Sequence, residues 1–418
     1  MVRAERSFKQ MSLSGCKHAL TIGRLMVRRL VMFHGKSGLT GVLTLIFSAA
    51  THAQGFAPVP VDVMQFPPQM RGTVDQELMR GQLRHELFTM TAPARKPWRI
   101  AYLFPHLNDP YWLGCAYGVV SEARRLRVAV DIIPAEGYDD LIGQLREMNE
   151  LVVTKKYDAI VLSPISLTGD NLAIRQARKS GIPVFELAND STSKSLVSKV
   201  TTSMDGMGEN ATDWMMADAR RRGLKSVNVA LLPGPADAGW VQGEVKGTLK
   251  ALRNAPIPVH VVTIRYGDSE RIIQTQLTEQ ILAQYGRHLD YILGCTGCAP
   301  AAVLPVRAVR LNRRIRIVAY DLTDEIAAML RRGEIRAAGD TKGVSQARVV
   351  TDLAVAYLEN PHKPVPDTVL VGLGMVDTGN LQRYPIETSI APQGYTPVLS
   401  WAPGSGVPGP KSSAGLHP

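Results

Sequence analysis

Two adjacent aromatics, Tyr111 and Trp112, follow an apolar run at 99–104 across a short turn that holds Pro105 and Pro110. Aromatics make up only 6% of the chain, so a pair at such a place calls for a purpose. Flat rings at a strand end can cover a small molecule; they can equally cap the following helix and pack on the sheet. A second group with chemical potential is Cys295-Thr-Gly-Cys298. Its spacing admits a local disulfide, two free thiols or a redox pair, whereas zinc would want a second CxxC or a paired-histidine motif, which the chain lacks. No Gly-x-Gly-x-x-Gly turn follows the first strand of either half, where PHLNDPYW and PGPADAGW stand instead. A Walker loop and a Gly-x-Ser-x-Gly elbow are missing too. The nine histidines are scattered and no nucleophile–base pair falls at matched turns. The residues therefore argue for binding rather than catalysis, with no cofactor and no metal called for.

An alternating pattern positions these groups. In the first half, strands are expected at 99–104, 128–133, 159–162, 183–187 and 200–202, separated by helices that end near 125, 155 and 179. The helix at 139–155 rests on the helical spacing of Leu141, Leu145, Met148 and Val152. The second half repeats the rhythm, with strands at 227–232, 259–265, 291–293, 317–320, 335–338 and 369–376 and a long helix at 345–359. Two successive blocks of similar length imply an α/β fold of two doubly wound lobes with parallel strands and right-handed crossovers. Asn189, Asp205, Asp237, Asp321 and Asp340 all stand at turns after these strands. Each acid is also suited to cap the helix that starts behind it.

The 418 residues are enough for two to three domains, and 45% hydrophobic with 20% charged residues is an ordinary globular composition. Net charge is +11, but residues 1–53 hold eight Lys/Arg against one acid, leaving +4 beyond them. No basic stripe remains, which excludes a nucleic-acid partner. Residues 1–53 read as a signal peptide with a basic lead. The apolar run at 39–50 is too short for a bilayer, and SAATHA offers Ala50 or Ala53 as the cleavage point. Met32 would begin a signal of ordinary length. An uncleaved anchor is the alternative, which that length disfavours. The mature chain is expected to be exported and not membrane-embedded. Residues 54–96 are expected to lie over the first lobe as an extension with a short helix near 76–87, and 401–418 to form a disordered tail.

The turn Asn108-Asp109-Pro110-Tyr111-Trp112 resembles the first-strand turn of the type I periplasmic binding proteins, in their ribose-binding branch. Gly181-Ile182-Pro183-Val184, the 203–208 turn and Ile317-Val318-Ala319-Tyr320-Asp321 resemble further landmarks, in the family's order, over roughly 97–380. The chain is most similar to the family's trimethylamine N-oxide sensing branch, through Glu186-Leu187-Ala188-Asn189, residues 231–239 and the 389–398 segment SIAPQGYTPV. The resemblance implies two lobes joined by a three-strand hinge near Met204, Asp321 and Thr341. It implies a first lobe of 97–203 with 322–341, and a second of 204–321 with 342–400. It also implies a periplasmic receptor, not an enzyme, that closes on a solute and signals to the periplasmic domain of a sensor histidine kinase. Tyr111 and Trp112 would then form a stacking wall, with Asn189, Asp205, Asp237, Asp321 and Asp340 as polar contacts. Trp240 and Cys295 fall at turns that face the cleft in the family.

This sequence departs from that branch at the ligand. Trimethylamine N-oxide offers three methyls of partial positive charge and one accepting oxygen, which suits an aromatic cage plus a donor. Trp112 supplies the first aromatic, but Met204 stands where a second is expected, and Asp321 adds a carboxylate. The expected ligand is thus a small polar or cationic solute, a methylamine oxide or a sugar, with the acids favouring hydroxyls or a true cation. The competing reading is the substrate-binding component of a sugar ABC importer. A DNA-binding repressor of this fold would need a helix-turn-helix where the export signal stands.

Overall fold

The computed structural model describes residues 58–67, 71–72 and 83–405. The apolar run after Trp98 is a strand, β3 (Arg99–Phe104), buried from Ile100 onward, as a strand covered by helices on both faces must be. It pairs in parallel with β4 (Ala129–Pro134) and β5 (Ala159–Leu162). The sheet continues in parallel through β6 (Val184–Leu187), β7 (Ser198–Thr201) and β13 (Thr368–Val371). Antiparallel strands close both edges. β1 (Val59–Met64) pairs with β13, β2 (Arg84–Phe88) pairs with β1, and β15 (Ser400–Trp401) lies against β4.

Within the expected extension, β1 and β2 are therefore part of the first sheet rather than a cover over it. β1 buries Val59, Val61 and Val63 on one side in strand alternation. The helix expected near 76–87 is replaced at its end by β2, because β1 offers it a free edge; the rest of that helix lies outside the described residues. The signal peptide also lies outside them, and so does the tail beyond 405, whose beginning is Trp401 in β15. Among the described residues no helix is long and apolar enough to cross a membrane.

The second sheet runs β9 (Val259–Tyr266), β8 (Val227–Gly234), β10 (Tyr291–Gly294), β11 (Arg316–Ala319) and β12 (Ala337–Asp340) in parallel, with β14 (Gly374–Asp377) antiparallel on β12. Both sheets are covered on two faces. In the first, α1 (Pro110–Leu126) and α9 (Gly343–Glu359) pack on Ile100, Tyr102 and Phe104, while α2 (Leu141–Thr154) and α3 (Asn171–Lys179) pack on Ala101 and Leu103. In the second, α6 (Arg271–Tyr285), α7 (Cys298–Ala308) and α8 (Asp324–Arg331) cover one face. The other carries α4 (Met204–Arg221) and α5 (Gly239–Arg253). The result is two doubly wound, parallel-sheet lobes.

The chain passes between lobes at 202–203, 341–342 and 372–373. Crossings near Met204 and Thr341 match the expected hinge. Asp321 does not, since it lies inside the second lobe: α8 leads from β11 to its parallel neighbour β12 in the same sheet. Residues 322–341 thus belong to the second lobe and 342–371 to the first, the reverse of the expected division. The physical reason is α9, which lies on α1 where Gly118 lets the Val344 carbonyl approach. The single strand expected at 369–376 divides into β13 and β14, one in each sheet. Residues 381–390 then pack on the second core through Leu381, Tyr384, Ile386 and Ile390, and β15 returns to the first sheet as a fourth link.

Candidate functional site

Turns at the carboxyl ends of strands from both lobes converge on one cavity of about 50 Å³. The first wall begins at Asp109, the N-cap of α1, whose Oδ1 accepts the Tyr111 amide N–H at 2.8 Å. Pro110 at the first helical position fixes the backbone there, so Tyr111 and Trp112 leave the first turn of the helix toward the cavity. Trp112 is buried, with its ring 5.0 Å from Phe104 and 5.1 Å from Tyr111. Tyr138, in the turn after β4, meets Trp240 of the second lobe at 6.0 Å between ring centroids.

The lobes are closed on one another. Thr296 of the second lobe donates its hydroxyl to Asp109 Oδ2 at 2.6 Å, and the Leu167 amide N–H donates to the Asp237 carbonyl at 3.4 Å. Burial raises the Asp109 pKa, while the Thr296 hydroxyl and the Tyr111 amide oppose the rise. Thr296 sits between Cys295 and Cys298, which form a disulfide. Ala188, at the end of β6, holds φ at +66°, a conformation that strains a residue with a side chain. It sets the next residue, Asn189, whose amide donates to the Pro164 carbonyl at 2.9 Å and to Tyr138 Oη at 3.1 Å.

Two buried acids line the second lobe's side. Asp321 is fully engaged: Oδ1 accepts the amides of Leu322 and Thr341, both at 2.8 Å, and Oδ2 accepts the Thr341 hydroxyl at 2.5 Å. Burial, then the nearby Asp340 charge, pushes its carboxyl up to about 8. Glu244 is the opposite case. It is wholly buried on α5, and neither carboxylate oxygen has a hydrogen-bond partner. Burial, and secondarily the charge of Asp321, holds its pKa well above the carboxylate range. It reaches this depth because α4 and α5 nearly touch: a Cβ on Gly208 would stand 2.0 Å from the Glu244 carbonyl, and one on Gly247 would stand 1.8 Å from that of Asp205.

Of the residues expected at the site, Tyr111, Trp112, Asn189, Met204, Trp240, Cys295 and Asp321 line this cavity. Three do not. Asp205 pairs with Lys246 at 3.1 Å on the adjacent helix. Asp237 is exposed at a loop tip. Asp340 accepts the hydroxyls of Tyr384, at 2.7 Å, and Ser389, so it fastens the C-terminal segment. Reading strand-end turns missed Glu244, Tyr138, Tyr320 and Gln346, which also line the cavity. Glu244 had a signal: it falls four residues after Trp240 and three after Val241, on the buried face of its helix. Among the described residues no group of three or more His, Cys, Asp or Glu could hold a metal.

The model of the periplasmic binding protein domain matches residues 100–362. The chain is 28% identical to the periplasmic protein TorT of Escherichia coli O157:H7 over 312 residues, which is 74% of this chain and 86% of TorT. Among solved structures, it is similar to an ABC transporter solute-binding protein from Bradyrhizobium sp. BTAi1 with bound Bis-Tris. There the identity is 30%, the TM-score 0.68, and the match covers 82% of this chain and 98% of that one. It is also similar to the complex of the TorS sensor domain with TorT in the presence of TMAO, at 25% identity and TM-score 0.63, covering 72% of this chain and 99% of that chain. A two-lobed parallel fold, a cavity at the strand ends between the lobes and this family match agree: the chain belongs to the periplasmic binding protein family.

Proposed function

We propose that this protein is an exported receptor that closes on a small polar solute between its lobes and passes the closed state to the periplasmic domain of a sensor histidine kinase. The observation that carries the reading is the cavity itself, enclosed by aromatic and acidic side chains from both lobes and spanned by the Thr296–Asp109 hydrogen bond. The family consists of binding proteins, and this reading contains no catalytic step. The likeness to TorT, over 86% of that protein, supports the kinase as partner. Trimethylamine N-oxide itself fits less well, since the acids Asp321 and Glu244 stand beside the aromatic walls.

The importer reading has its own support in the Bradyrhizobium transporter protein with bound Bis-Tris and in the 24% identity to the D-allose-binding periplasmic protein of Escherichia coli. Co-elution with a TorS-type sensor domain from the same organism, on size exclusion with and without solute, separates the two. A solute-dependent complex is the expected result. Free elution in both conditions, with solute uptake that requires this protein, would replace the receptor by the importer. Trp112→Ala is expected to remove the thermal shift caused by any solute that the wild-type protein binds.

A further inference from the structure

The cavity holds hydrogen-bond acceptors that the protein leaves unused. Both oxygens of Glu244 are unpaired, and so is Gln346 Oε1. The Trp240 Nε1–H is unpaired as well, but several other donors at the same walls are already committed. The Thr341 hydroxyl is given to Asp321, that of Thr202 to the Val371 carbonyl at 2.8 Å, and the Asn189 amide to Pro164 and Tyr138. An unpaired carboxylate away from water is among the costliest groups to bury, and it persists where a ligand satisfies it. The rings of Trp112, Tyr138, Trp240 and Tyr320 enclose the same space. Aromatic rings and a carboxylate together attract a cation, and an ammonium adds the N–H donors that Glu244 lacks. An N-oxide brings only an acceptor, which the Trp240 Nε1–H can meet but which supplies no donor to Gln346 Oε1 and no cation to Glu244. A neutral sugar brings donors but no charge, so it leaves Glu244 protonated and binds without the proton release that an ammonium causes.

We infer that the cavity binds a small protonated amine carrying hydroxyl groups, with its ammonium on Glu244, a hydroxyl on Gln346 Oε1 and its carbon skeleton against Trp112 and Trp240. This rests on the reading of the interlobe cavity as the solute site. The ionisable groups that share the cavity or pack on this helix include Asp321 and Tyr320 after β11, Asp109 and Tyr111 at the first turn, Tyr138, and the Asp205–Lys246 and Glu209–Lys250 pairs between α4 and α5. With no donor at either oxygen, burial holds the Glu244 pKa well above the carboxylate range while the cavity is empty. Docking of the ammonium ionises the carboxyl, and that proton leaves to solvent. Affinity therefore rises with pH as long as the amine stays charged.

The test is calorimetric titration of the purified protein with serinol (an amino diol), D-allose and trimethylamine N-oxide, at about pH 6 and about pH 7, in two buffers of different ionisation enthalpy. Serinol is expected to bind with release of close to one proton, and up to about tenfold more tightly at the higher pH. Glu244→Gln is expected to weaken serinol about 10- to 100-fold and to abolish proton release. If that variant does not fold, proton release by the wild-type protein decides. Serinol binding without proton release, or unchanged by Glu244→Gln, overturns the inference. Binding of D-allose or the N-oxide but not serinol overturns it while leaving the receptor reading in place. Binding of none of the three counts against both.

Discussion

Asp321 and Glu244 are both buried beside one cavity, and they differ in what their oxygens already hold. Asp321 ties the turn after β11 to the crossing at Thr341, so its carboxylate serves the hinge as well as the cavity. Glu244 holds nothing, which leaves its binding capacity to a ligand. Both acids are raised by burial, Asp321 to about 8, so the folded protein keeps protons that the unfolded chain releases at lower pH. Stability should then be greatest below the ordinary carboxylate range and fall as pH rises from about 4 to about 8. The thermal midpoint of the empty protein is expected to drop between about pH 5 and about pH 8, and Asp321→Asn to flatten that slope. A midpoint that rises over this interval would mean that the two acids are ionised and compensated in the empty state.

At the scale of elements, the helix pair α4–α5 sets the depth of the acid. Their contact at Gly208 and Gly247 has no room for a methyl group, because the atoms opposite are backbone carbonyls. Gly247→Ala is expected to cost about 1–3 kcal/mol, read as a lower urea midpoint, and to weaken solute binding by moving Glu244. Wild-type stability in that variant would show that the helices can separate freely. The elements were largely legible because each rests on its own sequence: the helix expected at 345–359 is α9, and the run at 99–104 is β3. The site was legible where a residue stands in a strand-end turn, as Trp112 and Asn189 do. It was not legible where function depends on a distant partner. Asp340 is occupied by Ser389, 49 residues away, and Asp205 by a lysine of the next helix. Glu244 escaped notice because it lies inside a helix, at a position that reads as part of the packed face. The division of lobes after 321 was hidden for a related reason, since a βα pattern does not say to which sheet its next strand returns.

For the whole molecule, the proposed receptor reading requires opening and closing about the three crossings, with the 381–401 segment as an added link between lobes. The Thr296–Asp109 bond is made only when the lobes meet, so it favours the closed state independently of any solute. Thr296→Val removes it with little change of shape. Such a bond to a carboxylate contributes about 1.5–3 kcal/mol, and its loss is expected to weaken every solute by the factor by which the closed fraction of the empty protein falls, about severalfold or more. Small-angle scattering should show a larger mean radius of gyration for the empty variant than for the empty wild-type protein. Equal radii and equal affinities would show that closure depends on the solute alone.

Thr296 owes its position to the disulfide that closes the turn around it, and Cys295 is itself a wall of the cavity. The compartment in which the chain matures therefore becomes part of the binding site. Protein made in a reducing cytosol would carry two thiols and an unpinned turn at this point. A ligand screen on such material would survey a different cavity from the one whose turn is closed by the disulfide. The route of production is thus an experimental variable on a par with the choice of solute.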